Sequence, residues 1–159
     1  MSELTEPILS VKDLKTYIYV NNRCNRAVDG VSFDVLKSKT LGIVGESGCG
    51  KSITASSIMQ LLPELSRIES GEITYHSENG DIRIDLLERN GRPMRSLRGA
   101  DIAMIFQDPM TALNPVYTIG SQIEENLKYH LSMSSNSIKD KTIELLHKMG
   151  IPLANQRSG

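Results

Sequence analysis

The sequence has no charge excess to speak of: 18 lysines and arginines face 19 aspartates and glutamates, for a formal charge of -1. A protein that neutralises nucleic-acid phosphates needs a concentrated basic field, so no nucleic-acid partner is expected. Cysteine is scarce. Cys24 and Cys49 stand far apart with no CxxC or Cys/His spacing, which excludes a zinc site or a disulfide framework and fits a reducing compartment. Long apolar runs are missing too. Nothing approaches the ~18 apolar residues of a membrane span, and the acidic start "MSELTEPILSV" has no basic region ahead of an apolar stretch. A chain soluble by itself is expected. Its 159 residues suffice for one ordinary domain, or part of one.

Short β-branched and aromatic runs come first. "ILSVKDLKTYIYV" (Ile8–Val20) and "AVDGVSFDV" (Ala27–Val35) flank the polar "NNRCNR" and predict two antiparallel strands. "TLGIVG" (Thr40–Gly45) is apolar without alternation, as in a strand buried on both faces. Ala55, Ile58, Met59 and Leu62 then fall at helical spacing, and Pro63 ends the pattern. Ile73 and Tyr75, then Ile82, Ile84 and Leu86, alternate around "ENGD" (Glu78–Asp81), which predicts a surface hairpin. "DIAMIFQ" (Asp101–Gln107) predicts a second buried strand running into "DPMTALNP" (Asp108–Pro115). The end is helical. Ile119, Ile123, Leu127 and Leu131 form one stripe, the Ser-rich 132–137 interrupts, and Ile138, Thr142, Leu145, Leu146 and Met149 form another.

Between the first buried strand and the first helix lies Gly45-Glu46-Ser47-Gly48-Cys49-Gly50-Lys51-Ser52, a complete G-x-x-x-x-G-K-S. The glycines let successive backbone N–H groups converge on phosphates, and the helix starting near Lys51 brings its positive dipole end to the same point. Lys51 is expected to reach the β- and γ-phosphates. The Ser52 hydroxyl, followed by Ile53, offers the hard oxygen that Mg²⁺ prefers. ATP with Mg²⁺ is the expected ligand.

The second motif narrows the class. "IFQDPMTALNP", with "AVDGVSF" (Ala27–Phe33), "TLGIVGESGCGKS" (Thr40–Ser52), "SGEI" (Ser70–Ile73) and "YTIGSQI" (Tyr117–Ile123), resembles the ATP-binding subunits of ABC transporters of the oligopeptide and dipeptide importer type. The resemblance covers almost the whole chain in order. It implies an α/β P-loop NTPase of ABC type, N-terminal part. Residues 1–39 and 64–100 would form mainly an antiparallel β-subdomain, and 40–63 the phosphate loop and helix. Residues 101–115 would form a strand and glutamine loop, and 116–159 the start of a helical subdomain. It also implies that Gln107 senses the γ-phosphate and Mg²⁺. The implied partners are transmembrane permease subunits and a second ATP-binding subunit, with indirect membrane association at the cytoplasmic face. Read without the family, Gln107 is a polar residue at a strand terminus.

Two departures from the family pattern stand out. An aromatic residue usually lies under adenine, and the matching position is Ile18, flanked by Tyr17 and Tyr19. Either tyrosine can supply the ring, an aliphatic contact can serve, or both tyrosines can be ordinary packing; a one-residue register change decides. The family also continues into a serine-glycine signature, an apolar strand ending in Asp-Glu, and a switch histidine. None of these occurs in the 159 residues. His76 stands in the predicted hairpin, and His130 and His147 on the late helices, so all three read as surface or packing residues. The expectation is an N-terminal portion with an incomplete core sheet that binds nucleotide without the full hydrolytic machinery. A non-catalytic nucleotide-binding module and a small P-loop kinase are the alternatives.

Overall fold

The structure, a computed structural model, describes residues 6–107 and 113–152. The chain divides into two compact units, Met1–Arg95 and Ser96–Gly159. In the first, β1 (Pro7–Val20), β2 (Arg23–Leu36), β3 (Ser66–Ser77) and β4 (Gly80–Arg83) form one antiparallel sheet in the order β2-β1-β3-β4. The first two strands match the sequence expectation and are longer than it. They continue through "RCNR" and meet at a two-residue turn, Asn21-Asn22, where both residues have positive φ, 48° and 60°. Asparagine tolerates that left-handed conformation better than most residues, and the twist of such a turn suits a hairpin.

Register along β1 is not uniform. Asp13 bulges out with φ 45°, and the pairing to β2 and β3 shifts around it. Gly71 lies against this bulge. A Cβ there would stand 2.6 Å from the Asp13 carbonyl oxygen, so only glycine fits. The bulge turns Val11 and Leu14 into the core beside Val28, Met59, Leu62, Ile73, Ile84 and Met94.

The β3–β4 hairpin forms where "ENGD" predicts it, with Ser77 opposite Gly80. His76 is a structural residue within it, its ring nitrogens 2.8 Å from Asp81 Oδ1 and 3.1 Å from Ser10 Oγ. The expected alternation through Leu86 stops early, because Ile84–Leu86 close into a 3₁₀ turn. Asp85 holds that turn. Its side chain is 6% exposed, accepts a 2.8 Å hydrogen bond from the Ile73 N–H, and pairs with Arg83 at 2.7 Å. Burial pushes its carboxyl upward, but the Arg83 and Ile73 hydrogen bonds outweigh that and hold it below its ordinary value.

The helix after the phosphate loop, α1 (Lys51–Ile58), is shorter than its apolar stripe suggests. Gln60 takes φ 51° and ends it, and the Gln60 amide donates 3.0 Å to the Ile84 carbonyl. Met59 and Leu62 are buried as expected, yet Thr54 and Ser57 are buried too. Ser57 Oγ lies 2.8 Å from Thr16 Oγ1 of β1, and it also donates to the Ile53 carbonyl at 2.7 Å. The sheet and the helix are thus joined by a hydroxyl pair as well as by apolar contact.

Residues 92–97 open α2 (Arg92–Ala100), whose last turn departs from helical geometry at Arg98 and Gly99. The second unit contains α3 (Ile119–His130) and α4 (Ser135–Lys148). Thr118 and Ser134 cap them by accepting hydrogen bonds from the N–H groups of Ser121 and Ser137. Ile138, Thr142 and Leu146 of the predicted stripe are buried, whereas Met149 lies outside. Along α4, hydrogen bonds from Lys141 and then Lys148 hold the Glu144 carboxyl down to about 2.

The two buried strands expected at Thr40–Gly45 and Asp101–Gln107 are not strands here. Both segments lack ladder partners among the described residues, apart from a single bridge between Arg98 and Ile102. Val44 is 94% exposed and Ile105 96%. Apolar continuity in a sequence states that a strand would be buried on both faces; it does not supply the neighbours that bury it.

Two outcomes follow for the fold. Asp85→Asn should destabilise the protein by about 2 kcal/mol at neutral pH, the scale of hydrogen bonds to a charged group. The folded carboxyl titrates below the unfolded value of about 3.8, so its contribution is full above that value and is lost as pH falls through the folded one. Urea unfolding at neutral and strongly acidic pH should therefore show the gap between parent and variant closing in acid. Separately, the chain should bind a hydrophobic dye and self-associate through the exposed Leu41–Val44 stretch; if Val44→Lys leaves both properties unchanged, that segment is not their source.

Candidate nucleotide-binding site

The G-x-x-x-x-G-K-S segment forms a tight turn entering α1. Cys49 N–H donates 3.3 Å to the Glu46 carbonyl, Gly48 and Gly50 take φ 83° and 94°, and Thr54 N–H reaches the Gly50 carbonyl at 2.8 Å. Gly50 is the most constrained position. A Cβ there would lie 2.2 Å from the Ala27 carbonyl oxygen, because the loop rests directly on β2. At Gly45 the nearest atom to an added Cβ would be Cys49 Sγ, at 2.5 Å, a side chain that can turn away.

Lys51 folds back over this turn. Its ammonium donates 2.7 Å to the Gly45 carbonyl and 2.8 Å to that of Glu46, with Cys49 Sγ at 3.5 Å. Beside it opens a cavity of about 350 Å³ lined by Gly48, Cys49, Gly50, Lys51, Ser52 and Ile53, and across from them by Ile18 and Asn25–Ala27. The Ser52 side chain is in an exposed residue at its mouth. Gly45, Glu46 and Ser47 stand before the cavity and do not line it, although the first two supply the carbonyls that hold Lys51.

β1 settles which side chain faces the cavity. Thr16 packs on α1, Ile18 lines the cavity, and strand alternation sends Tyr17 and Tyr19 to the other face. Tyr17 donates 3.0 Å to Asp29, with the Arg26 guanidinium 5.6 Å from its ring centre. Tyr19 donates to Glu69 and lies under the Arg67 guanidinium, 4.6 Å away. The Glu69 hydrogen bond raises its phenol above the ordinary value. Both rings are engaged away from the loop, so neither tyrosine lines the cavity; the aliphatic Ile18 does. Asn25 and Arg26 had no sequence signal beyond lying in a polar turn, which the structure turns into paired strand, while Ala27 opens the second strand that the sequence predicts.

Gln107 belongs to the second unit and is exposed. Residues 108–112 of the predicted glutamine loop lie outside the described residues. Past them, Gln122 closes a local turn, its Oε1 accepting from Asn114 N–H at 2.9 Å and its amide donating to the Asn114 and Tyr117 carbonyls. No group of three or more His, Cys, Asp or Glu side chains among the described residues could hold a metal. A hard-oxygen contact from Ser52 is the sort of donor that suits Mg²⁺ arriving with phosphate.

The family model for the ABC transporter matches residues 28–158, from β2 through the phosphate loop into the helical end. The chain belongs to the ABC transporter family. Its relatives include the dipeptide transport ATP-binding protein DppD of Bacillus subtilis (strain 168), 44% identical over 153 residues, covering 96% of this chain and 44% of the relative. The protein of the same name from Haemophilus influenzae is 43% identical, covering 91% of this chain and 42% of the relative. The chain therefore spans less than half the length of these curated relatives. A dimeric bacterial ABC transporter cassette superposes with TM-score 0.71 at 20% identity, covering 87% of this chain and 56% of that one. The fold is thus the N-terminal part of an ABC cassette, and the antiparallel sheet with the phosphate loop on its β2 side is the portion present.

The asymmetry between the two glycines gives a direct check. Gly50→Ala combines a left-handed φ with a backbone clash and should destabilise by about 1–3 kcal/mol, whereas Gly45→Ala, relieved by rotation of Cys49, should cost well under half of that. Equal urea midpoints for the two variants would mean that the loop does not rest on Ala27.

Proposed function

We propose that this chain is the phosphate-binding portion of the ATP-binding subunit of a peptide-importing ABC transporter. The observation that carries the reading is the Lys51 ammonium poised over a glycine turn whose residues, with the start of α1, line an open cavity. The names of the Bacillus and Haemophilus relatives support dipeptides as the solute class.

In this reading Lys51 exchanges the Gly45 and Glu46 carbonyls for β- and γ-phosphate oxygens. The N–H groups of Gly48, Gly50, Lys51, Ser52 and Ile53 supply the remaining donors, reinforced by the positive end of α1. Glu46, Ser47 and Cys49 shape the turn. The Ser52 hydroxyl would hold Mg²⁺, which when bound would neutralise part of the phosphate charge. Gln107 reports the γ-phosphate to the helical end, and through it to transmembrane permease subunits. A second ATP-binding subunit pairs with the first, and attachment to the cytoplasmic face of the membrane is indirect. Among the described residues no helix is long and apolar enough to cross a membrane.

Removing the ammonium tests the site. Lys51→Ala should weaken Mg-ATP binding at least tenfold, the scale of one charge-assisted contact to phosphate. Calorimetry that finds equal affinity in parent and variant would count against the assigned cradle.

A further inference from the structure

Both residues that α1 buries along its own length, Thr54 and Ser57, carry hydroxyls. Each is tied to the turn before it. Thr54 Oγ1 donates 3.0 Å to the Gly50 carbonyl and Ser57 Oγ donates 2.7 Å to the Ile53 carbonyl, so the inner face of the helix is bonded to two residues that line the phosphate-loop cavity. An apolar contact is non-directional and tolerates sliding and rotation, whereas a hydrogen bond weakens steeply as its angle closes. Direction is what the hydroxyls add. The helix is eight residues long, and the buried apolar residues Met59 and Leu62 lie beyond its end, away from the cavity.

Thr16 extends this set into the sheet. Its Oγ1 lies 2.8 Å from Ser57 Oγ, and both residues are fully buried. A hydroxyl has one proton, and that of Ser57 is committed to the Ile53 carbonyl, so the proton between the pair belongs to Thr16. The order of donation is Thr16 to Ser57 to Ile53. It joins β1 to the first turn of α1 without meeting solvent, and it ends at a residue that shares the cavity wall with Lys51 and Ser52.

We infer that Thr16 and Ser57 are positioning residues for the phosphate site: their hydroxyl chain sets the direction of the first turn of α1, and with it the strength of phosphate binding, beyond any share in stability. The inference rests on the nucleotide reading above and adds two residues that do not line the cavity.

Two measurements on the full chain separate positioning from stability: urea midpoints, and calorimetric titration with Mg-ATP and with Mg-tripolyphosphate where circular dichroism shows each variant folded. Ser57→Ala leaves the Thr16 proton buried without its acceptor and should lower the midpoint more than Thr16→Val, which leaves the Ser57 proton on Ile53. The double variant Thr16→Val/Ser57→Ala removes both partners and leaves no orphan, so its midpoint should recover above that of Ser57→Ala. Affinity should not recover. Thr16→Val, Ser57→Ala and the double variant should each bind both ligands about fivefold more weakly than the parent, the scale of one net hydrogen bond, while Thr16→Ser keeps the donor and should bind within about twofold of the parent. Equal loss for the two ligands is expected, because α1 acts on the phosphates; loss confined to Mg-ATP would move the effect to Ile18, two residues along β1, and overturn the inference. Parent affinity in Thr16→Val or in the double variant, or a loss in Thr16→Ser as large as in Thr16→Val, would overturn it as well. Absence of Lys51-dependent binding of either ligand, with Lys51→Ala as the control, would instead overturn the nucleotide reading itself, and this inference with it.

Discussion

The close approach of Gly50 to the carbonyl of Ala27 is the constraint on which the rest depends. A backbone-to-backbone contact with room for no side chain fixes the phosphate turn to β2. β2 in turn is registered to β1 through the Asn21-Asn22 turn, so Ile18 is carried to the same cavity as Lys51. On the other side of the loop, α1 is anchored to β1 by Thr16 and Ser57. The loop is thus held at its C-terminal end by both strands of one hairpin, directly at Gly50 and through α1. A turn made of glycines has little stiffness of its own, and the sheet supplies it.

The sequence was informative wherever a local pattern has a local cause. Asn21-Asn22 and Gly80 close hairpins because those residues accept positive φ, and Thr118 and Ser134 start helices because their oxygens satisfy free N–H groups. The G-x-x-x-x-G-K-S turn is equally local. What it could not yield were facts with two partners far apart. The burial of Thr54 and Ser57 follows from a hydroxyl on Thr16, 41 residues before Ser57, and no helical periodicity contains it. The face on which Tyr17 and Tyr19 lie depends on the bulge at Asp13 and the register it sets, which composition does not encode.

Thr40–Gly45 and Asp101–Gln107 illustrate the same limit from the other side. Their apolar runs are real, and so is the exposure of Val44 and Ile105. A strand is a relation between segments, and a run of valines and isoleucines specifies only that the relation, when made, excludes water on both faces. Gly45, which ends the first of these segments, also begins the phosphate turn. Order in the segment and geometry in the turn are therefore coupled through a single residue: any neighbour that pairs with Thr40–Val44 also fixes the carbonyl of Gly45.

That carbonyl is where the coupling reaches the chemistry. Lys51 spends its donors on Gly45 and Glu46, so a phosphate must displace hydrogen bonds of 2.7 and 2.8 Å before it gains the ammonium. The exchange is favourable because a phosphate oxygen carries formal charge and a carbonyl oxygen does not. The balance is nonetheless a difference between two good hydrogen-bond sets, and it shifts with the position of Gly45. In the proposed reading, a pairing along Thr40–Val44 that drew the Gly45 carbonyl away from Lys51 would weaken the competing bond and so favour phosphate, without a new contact to the ligand. By linkage, a phosphate that took the ammonium would release the Gly45 carbonyl and favour that pairing in return. The Gly45 carbonyl thus stands at the junction of an apolar segment that has no ladder partner among the described residues and the ammonium of Lys51.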